Sequence, residues 1–443
     1  MVPDRSSISR RQLLGGLATT ALGATGVVGA TRPTVLPDPL TDVATRYYPT
    51  PPEMRTLWRP TVSDAHARKA VTLLEQTVEA GRDRWTELDT DEQFPAAGGW
   101  LDDAREALAA GNTHEALFDA RYGMQFAAEA LGIALARLDA VDLPTLADRG
   151  YALLDRAQQV LDDITPYPVE TPARDLAWYY RIEEELRFGR RHVRWAGIEA
   201  ARNGVHDADG PDRTDFEPYE IGQLLAGLGQ GEIHILSAEQ YRDRHDAVLD
   251  APTDTYADQL AAVASRFKTV IDRFPDRDEV LAEYLDGSTD EETSPYEFAH
   301  HRLVRWCYDT GYYVVLEENQ DLSVVPAVEL SKGIAQRRAH DLTTEQLVVD
   351  PADEGFDSGH TLAEKRRAQS VYRSVVGSSP PPLLTLQVMR AVEDLQVAKV
   401  GFAGSYQQPI WRERLEAYLY ALVGRAKLRE YPTLYRRIVG DSG

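Results

Sequence analysis

The spacing of apolar residues is the feature that most restricts the fold of this chain. Between positions 67 and 88, apolar or small residues recur every three or four positions. They are Ala67, Val71, Leu74, Val78, Gly81, Trp85 and Leu88. This spacing lines one face of an α-helix, whereas a half-buried strand would alternate at every second position, and such runs are nearly absent. The sequence therefore predicts an all-α fold of about twelve helices in antiparallel hairpins, forming a bundle, a superhelical stack or an α/α toroid.

Capping and turn residues indicate where these helices begin and end. Ser294, Pro295 and Glu297 combine an N-cap, a first-turn proline and a capping-box glutamate, which predicts a helix start. The glycines at 227, 229 and 231 lack a preceding strand, so they predict a helix stop and a turn rather than a dinucleotide-binding loop.

One segment, residues 104–135, resembles a tetratricopeptide-type helical hairpin. The residues that carry this resemblance are Ala107, Gly111, Glu115, Ala116, Leu117, Ala127 and Ala130. The resemblance implies a helix pair joined by a tight glycine turn. No second copy follows at a 34-residue period, and a solenoid needs at least about three repeats, so an ordinary antiparallel helix pair accounts for the same residues.

Composition changes along the chain suggest five segments. A signal peptide is predicted at 1–30 and a proline-rich extended tether at 31–60, because its seven prolines disfavour helix. An N-terminal helical half is predicted at 61–205, an acidic linker at 206–218 and a C-terminal helical half at 219–443.

The charge of the chain points to its solvent and excludes one class of partner. Its 443 residues carry 71 acidic and 48 basic residues, a net charge of −23, and only six of the basic residues are lysine. This composition resembles that of haloarchaeal proteins, in which concentrated salt screens the self-repulsion. A GC-rich genome would explain the arginine preference but not the acidity. The charge argues against a nucleic-acid partner, because phosphate contacts need a basic face.

The N-terminus resembles a twin-arginine (Tat) export signal. Arg10 and Arg11 precede a weakly apolar run rich in glycine, alanine and threonine, and a cleavage site is predicted after Ala30. The resemblance implies the Tat translocase as a partner during export, and an extracellular or cell-surface location. The run is too short and too glycine-rich to predict a permanent membrane helix.

No further membrane segment or cofactor is predicted for the mature chain. The most apolar later stretch, 383–403, is interrupted by Arg390, Glu393, Asp394 and Lys399. The single cysteine, Cys307, cannot form an internal disulfide. Motifs for zinc peptidases, serine hydrolases and P-loop nucleotide binding are absent from the sequence.

Three groups of residues are candidates for a functional site. The first is an arginine stripe in a predicted long helix, formed by Arg187, Arg190, Arg191 and Arg194. It could hold an anionic ligand or a protein partner, unless neighbouring helices supply acids that neutralise it.

The second candidate is Asp309, which stands among aromatic residues between Trp306 and Tyr313. Aromatic faces beside carboxylates are typical of sugar-cleaving sites, and the predicted helix number fits an α/α toroid by analogy. Packing of these aromatic residues into a core is the alternative. The third candidate is Glu297 with His300, whose spacing occurs in di-iron bundles, although only one such motif is present.

These observations leave three classes of function open. The first is a non-catalytic binding or scaffold protein, exported and halophilic, acting at the cell surface. The second is an α/α-toroid carbohydrate-active enzyme that uses paired carboxylates, and the third is a metal-binding helical bundle. The absence of a catalytic motif favours the first.

Overall fold

A computed structural model describes residues 33–52, 58–88, 90, 94, 97–203, 216–250, 254–284, 294–308, 321–400 and 409–440. Helices dominate this part of the chain, so the all-α prediction is confirmed. The helices are α1 (Asp38–Tyr47), α2 (Asp64–Glu87), α3 (Ala97–Ala109), α4 (Thr113–Arg137), α5 (Leu143–Ile164), α6 (Pro172–Trp195), α7 (Ile198–Asn203), α8 (Pro218–Asp246), α9 (Ala257–Ile271), α10 (Arg277–Tyr284), α11 (Pro295–Cys307), α12 (Val324–Thr344), α13 (Ser358–Val376), α14 (Pro382–Val400) and α15 (Ile410–Val439). Within the described residues, the only sheet is an antiparallel pair of two-residue strands, β1 (Pro168–Val169) and β2 (Asp254–Thr255).

The chain divides into two compact units that alternate along the sequence. The first unit comprises Arg59–Ala264, Val315–Val328 and Ile438–Gly443, and the second comprises Met1–Trp58, Ser265–Val314 and Glu329–Arg437. This division differs from the predicted halves at 61–205 and 219–443. The reason is that α8 follows the predicted linker at 206–218 and yet packs against α4 and α6. Most of that linker lies outside the described residues.

Close helix packing explains why α8 continues through its three glycines. The predicted helix stop at Gly227, Gly229 and Gly231 is wrong, because α8 is unbroken there. A Cβ atom on Gly227 would lie 2.7 Å from the backbone oxygen of His192, and one on Gly231 would lie 2.5 Å from Val193 Cγ2. Both contacts are with α6, so the glycines allow the two helices of the first unit to approach each other closely.

The proline-rich segment was expected to be extended, but part of it is helical. Within 31–60, residues 38–47 form α1, which packs against α13 of the second unit. Pro39 lies in the first turn of α1, where a helix loses no hydrogen bond to proline. Arg414 on α15 bonds to the carboxylate of Asp42, with 2.8 Å between Nη2 and Oδ2, and also to Asp38. The α1 part of this segment therefore belongs to the second unit.

The segment that resembles a tetratricopeptide hairpin is a helix pair in the structure. Helices α3 and α4 pack against each other across a short connection. Gly111 in this connection has φ of +76°, a conformation that favours glycine. The structure confirms the helix pair, while the likeness to tetratricopeptide repeats stays a prediction.

Helix α14 contains most of the apolar stretch 383–403, which charged residues interrupt. Within the described residues, no helix has both the length and the apolar character that crossing a membrane requires.

Candidate functional site

A pocket in the second unit gathers side chains from five separate parts of the chain. Its cavity has a volume of about 560 Å³, within the usual range of small-molecule sites, roughly 300–1,000 Å³. The lining residues are Arg277, Arg305, Trp306, Tyr308, Gln336, Arg390, Glu393, Asp394, Val397, Tyr420 and Lys427. Cationic, aromatic and acidic groups therefore face one cavity.

The aromatic part of the lining is built at the end of α11. The rings of Trp306 and Tyr420 stack with their centroids 4.0 Å apart and their planes 24° apart. Gln336 on α12 donates a hydrogen bond to the backbone oxygen of Trp306, which fixes the last turn of α11. The pocket thus has a stacked aromatic pair in its wall, a surface that suits a flat or ring-shaped ligand.

Tyr308 forms a second aromatic part of the lining, just after α11. Its ring lies under the guanidinium of Arg337, with 3.9 Å between Cζ and the ring centroid. Burial and the charge of Asp341 raise the pKa of Tyr308 to about 12, so its hydroxyl is neutral at ordinary pH.

Cationic groups outnumber acidic groups around the pocket. The ammonium of Lys427 lies 2.9 Å from Asp394 Oδ2, and this pair accounts for one charge of each sign. Arg277, Arg305 and Arg390 remain, and within the described residues no carboxylate forms an ion pair with any of them. Among the remaining lining residues, the only acidic group is the exposed carboxylate of Glu393. The pocket therefore carries a local positive excess in a chain whose net charge is −23.

Asp394 is a lining residue whose acidity is altered. Burial raises its pKa above the usual range of an aspartate, although the charges of Lys427 and Arg390 oppose this effect. Its side chain is 18% exposed, so it remains accessible from the cavity.

The arginine stripe predicted on α6 does not form a single cationic surface. Arg190 is 5% exposed, and its guanidinium bonds to Asp321 Oδ2 at 2.5 Å and to Gln158 Oε1 at 2.9 Å. It is therefore a buried structural residue of the first unit.

The other three arginines of the stripe have different surroundings. Arg187 lies over the ring of Phe188, with 4.5 Å between Cζ and the centroid, and Arg191 lies 3.6 Å over the ring of Trp195. Only Arg194 is exposed. The expectation that neighbouring segments supply acids holds for Arg190, whereas Arg187 and Arg191 are covered by aromatic rings.

Glu297 and His300 have structural surroundings. Glu297 caps α11, accepting a hydrogen bond from the backbone nitrogen of Ser294 at 3.2 Å. The His300 ring is packed between Tyr284 and Tyr296, with centroid distances of 4.2 and 4.4 Å. Burial and the nearby His340 lower the pKa of His300 to about 4. Among the described residues, no group of three or more His, Cys, Asp or Glu side chains is arranged to hold a metal ion.

The remaining sequence candidates lie outside the described residues. They are Asp309 and the signal residues Arg10, Arg11 and Ala30. Two aromatic neighbours of Asp309, Trp306 and Tyr308, do line the pocket.

Most of the pocket was missed by sequence reasoning. Arg390, Glu393 and Asp394 were noticed only because they interrupt an apolar stretch, and that interruption was the one available signal. Arg277 and Lys427 stand 113 and 37 residues from Arg390, so no local spacing could connect them.

Comparisons with known proteins show that two parts of this all-α chain match two families described as domains of unknown function. Residues 65–251 match the family described as a domain of unknown function (DUF8262), and residues 257–440 match a second, DUF8264. The gap between the two matches lies after α8, which agrees with the place of α8 in the first unit. No curated protein and no solved structure matches the chain.

Proposed function

We propose that this protein is a non-catalytic binding protein that holds a small organic anion in the pocket of the second unit. The observation that carries the proposal is the group of Arg277, Arg305 and Arg390, which face one cavity and form no ion pair with a carboxylate in the described part of the chain. Guanidinium groups bind carboxylates, sulfates and phosphates through paired hydrogen bonds. In so acidic a chain, this local excess of positive charge favours a ligand of opposite sign.

The stacked pair of Trp306 and Tyr420 refines the ligand class. A ring or another flat apolar face can pack against these side chains while the charged group meets the arginines. The ligand we propose therefore combines a ring with at least one negative charge, as in an acidic sugar or an aromatic carboxylate.

Calorimetric titration of the purified protein in concentrated NaCl tests this proposal. The probes are two matched pairs: glucuronate against glucose, and 4-hydroxybenzoate against phenol. We expect saturable binding of an anion and at least about tenfold weaker binding of its neutral partner, equivalent to ~1.4 kcal/mol. Equal binding of the two members of each pair would contradict the proposal.

We further propose that the protein reaches the cell surface through the Tat pathway and works there in high salt. The twin arginines at 10 and 11 and the net charge of −23 support this part of the proposal. The replacement of both Arg10 and Arg11 by lysine tests it by fractionation of the expressing cells. Retention inside the cell is expected, and unchanged export would contradict the Tat route.

A second candidate function is cleavage of a saccharide in the same pocket. Asp394 favours it, because a carboxyl group with a raised pKa can act as a general acid beside aromatic rings. Release of reducing ends from polysaccharides, abolished by Asp394→Asn, would support this alternative over simple binding. No release from a broad set of polysaccharides would leave binding as the preferred function.

A further inference from the structure

The first unit carries a row of aromatic side chains on α3 and α4, of which two are exposed and two are half-buried. We call this row the aromatic ladder; it consists of Trp100, Phe118, Tyr122 and Phe126. Phe118 and Tyr122 are 61% and 43% exposed, and their rings are parallel to within 6° with centroids 6.2 Å apart. Tyr122 also meets Phe126 and Trp100 edge to face, at 5.3 and 4.6 Å. Large exposed apolar groups that touch one another mark interaction surfaces more often than single ones do.

The positions along α4 make the ladder one continuous face. Phe118, Tyr122 and Phe126 follow each other at spacings of four, so they span about 12 Å of helix at 1.5 Å per residue. Trp100 extends the face onto α3, which packs beside α4.

Carboxylates border the ladder. Glu115 and Asp119 lie three residues from Phe118 and Tyr122 respectively, on the same side of α4. Asp119 is only 8% exposed, and it has no hydrogen-bond or ion-pair partner among the described residues. Burial, together with the charges of Asp103 and Glu115, raises its pKa. A cation placed here would relieve this repulsion.

Other aromatic rings of the first unit show which cation fits. Arg191 lies 3.6 Å over Trp195, and Arg202 lies 4.8 Å over Tyr151. Within the described residues, no arginine or lysine lies over a ring of the ladder. In the described part of the chain, the unit thus stacks its own guanidinium groups on aromatic faces elsewhere and leaves the ladder without one.

From the ladder and its acidic border we infer a docking surface for an arginine-bearing segment of a partner protein. The guanidinium groups of that segment stack on Phe118 and Tyr122 and pair with Glu115 and Asp119. Arginine suits this surface better than lysine, because its flat, weakly hydrated group stacks on rings and binds carboxylates through two hydrogen bonds. This surface belongs to the first unit and is separate from the pocket of the proposed function.

Binding of a fluorescent glycine–arginine repeat peptide to the full chain in concentrated NaCl tests the inference by anisotropy. The key variant is Phe118→Ala with Tyr122→Ala, which leaves the net charge unchanged. The matched control is Tyr219→Ala, since Tyr219 is 60% exposed but belongs to α8 and makes no ring contact with the ladder among the described residues. We expect about tenfold weaker binding for the double variant, no change for the control, and weaker binding of the lysine version of the peptide.

Three results would overturn the inference. Unchanged affinity of the double variant would mean that the peptide binds only to the general negative charge. Binding of a neutral oligosaccharide that depends on Phe118 and Tyr122, without peptide binding, would make the ladder a sugar platform. Self-association in sedimentation experiments that the double variant abolishes, again without peptide binding, would make it a contact between copies of this chain.

Discussion

Two groups of arginine residues, one in each unit, do different work. In the first unit, Arg121 bonds at 2.7 Å both to Glu185 and to Ser237, and the buried Arg190 bonds to Asp321 and Gln158. In the second unit, three guanidinium groups face an open cavity and form no ion pair with a carboxylate in the described part of the chain. The first arrangement stabilises the fold, whereas the second leaves hydrogen-bonding capacity for a ligand. What separates a structural arginine from a binding one is therefore its partners, which the local sequence does not reveal.

The largest expected effect concerns the buried carboxylate of Glu183 in the first unit. It accepts hydrogen bonds from the hydroxyl of Tyr167 at 2.6 Å and from the backbone nitrogens of 323–325 at 2.7–3.0 Å, where α12 begins. Glu183→Ala leaves these donors without a partner, so we expect a loss of about 3–5 kcal/mol in the free energy of unfolding. Chemical denaturation measures it.

Glu170, just before α6, provides the control for this prediction. Its ion pair with Arg174 lies at the surface, and Arg174 keeps a second partner in Asp175, so Glu170→Ala should cost less than about 1 kcal/mol. Equal losses for the two variants would show that the hydrogen bonds of Glu183 are not what stabilises this region.

Acid should destabilise the first unit through its buried histidines. Burial and the charge of Arg121 lower the pKa of His66 to about 4, whereas an unfolded histidine titrates near pH 6.5. Between these pH values the unfolded chain binds more protons, so stability falls as the pH decreases from about 6.5 to 4. His66 accounts for at most about 3 kcal/mol of this loss.

A second group continues the acid effect at lower pH. Burial alone would raise the pKa of Glu185, but Arg121 and His234 lower it to about 2, so further stability is lost below about pH 4.5. Denaturation at several pH values should show this fall, and His66→Gln should make it shallower above pH 4. A wild-type stability that does not change between pH 6.5 and 4 would refute the prediction.

The arginine stripe offers a direct comparison of moderate size. Arg190→Met removes a buried guanidinium and leaves Gln158 Oε1 without this donor, so we expect a loss of about 2 kcal/mol. Arg194→Met changes an exposed residue and should alter stability by less than about 0.5 kcal/mol. Thermal unfolding of both variants distinguishes them. If they behave alike, the stripe is not divided as the structure indicates.

The smallest effect on stability is expected in the pocket. Arg390 is exposed and forms no ion pair among the described residues, so Arg390→Gln should change the free energy of unfolding by less than about 0.5 kcal/mol. A loss above about 2 kcal/mol would mean that Arg390 is structural, like Arg190 in the first unit.

Much of the helical fold could be predicted from local patterns. The apolar face between Ala67 and Trp85 is buried along α2, and the capping box of Ser294 and Glu297 starts α11 as expected. Both depend on residues within a few turns of each other. The helix at 38–47 and the unbroken α8 were missed, because Arg414 and the close approach of α6 act over long distances in sequence.

The candidate site was predictable only in part, for the same reason. Trp306 and Tyr308 belong to the aromatic segment that the sequence analysis singled out. Arg277, Arg390 and Lys427 come from three other helices, and their charges are indistinguishable in the sequence from those of a solvated surface. The fold alone brings them to one cavity.

The most direct test of the anion-binding pocket compares the wild type with the double variant Arg305→Gln, Arg390→Gln. The matched control is Arg373→Gln, which removes an exposed arginine of α13 that does not line the pocket. Calorimetric titration with the anion that the wild type binds best should show at least about tenfold weaker binding for the double variant. The control should bind this anion as tightly as the wild type does. Equal affinity of all three proteins would contradict the account, because the unpaired arginines would then not bind the ligand.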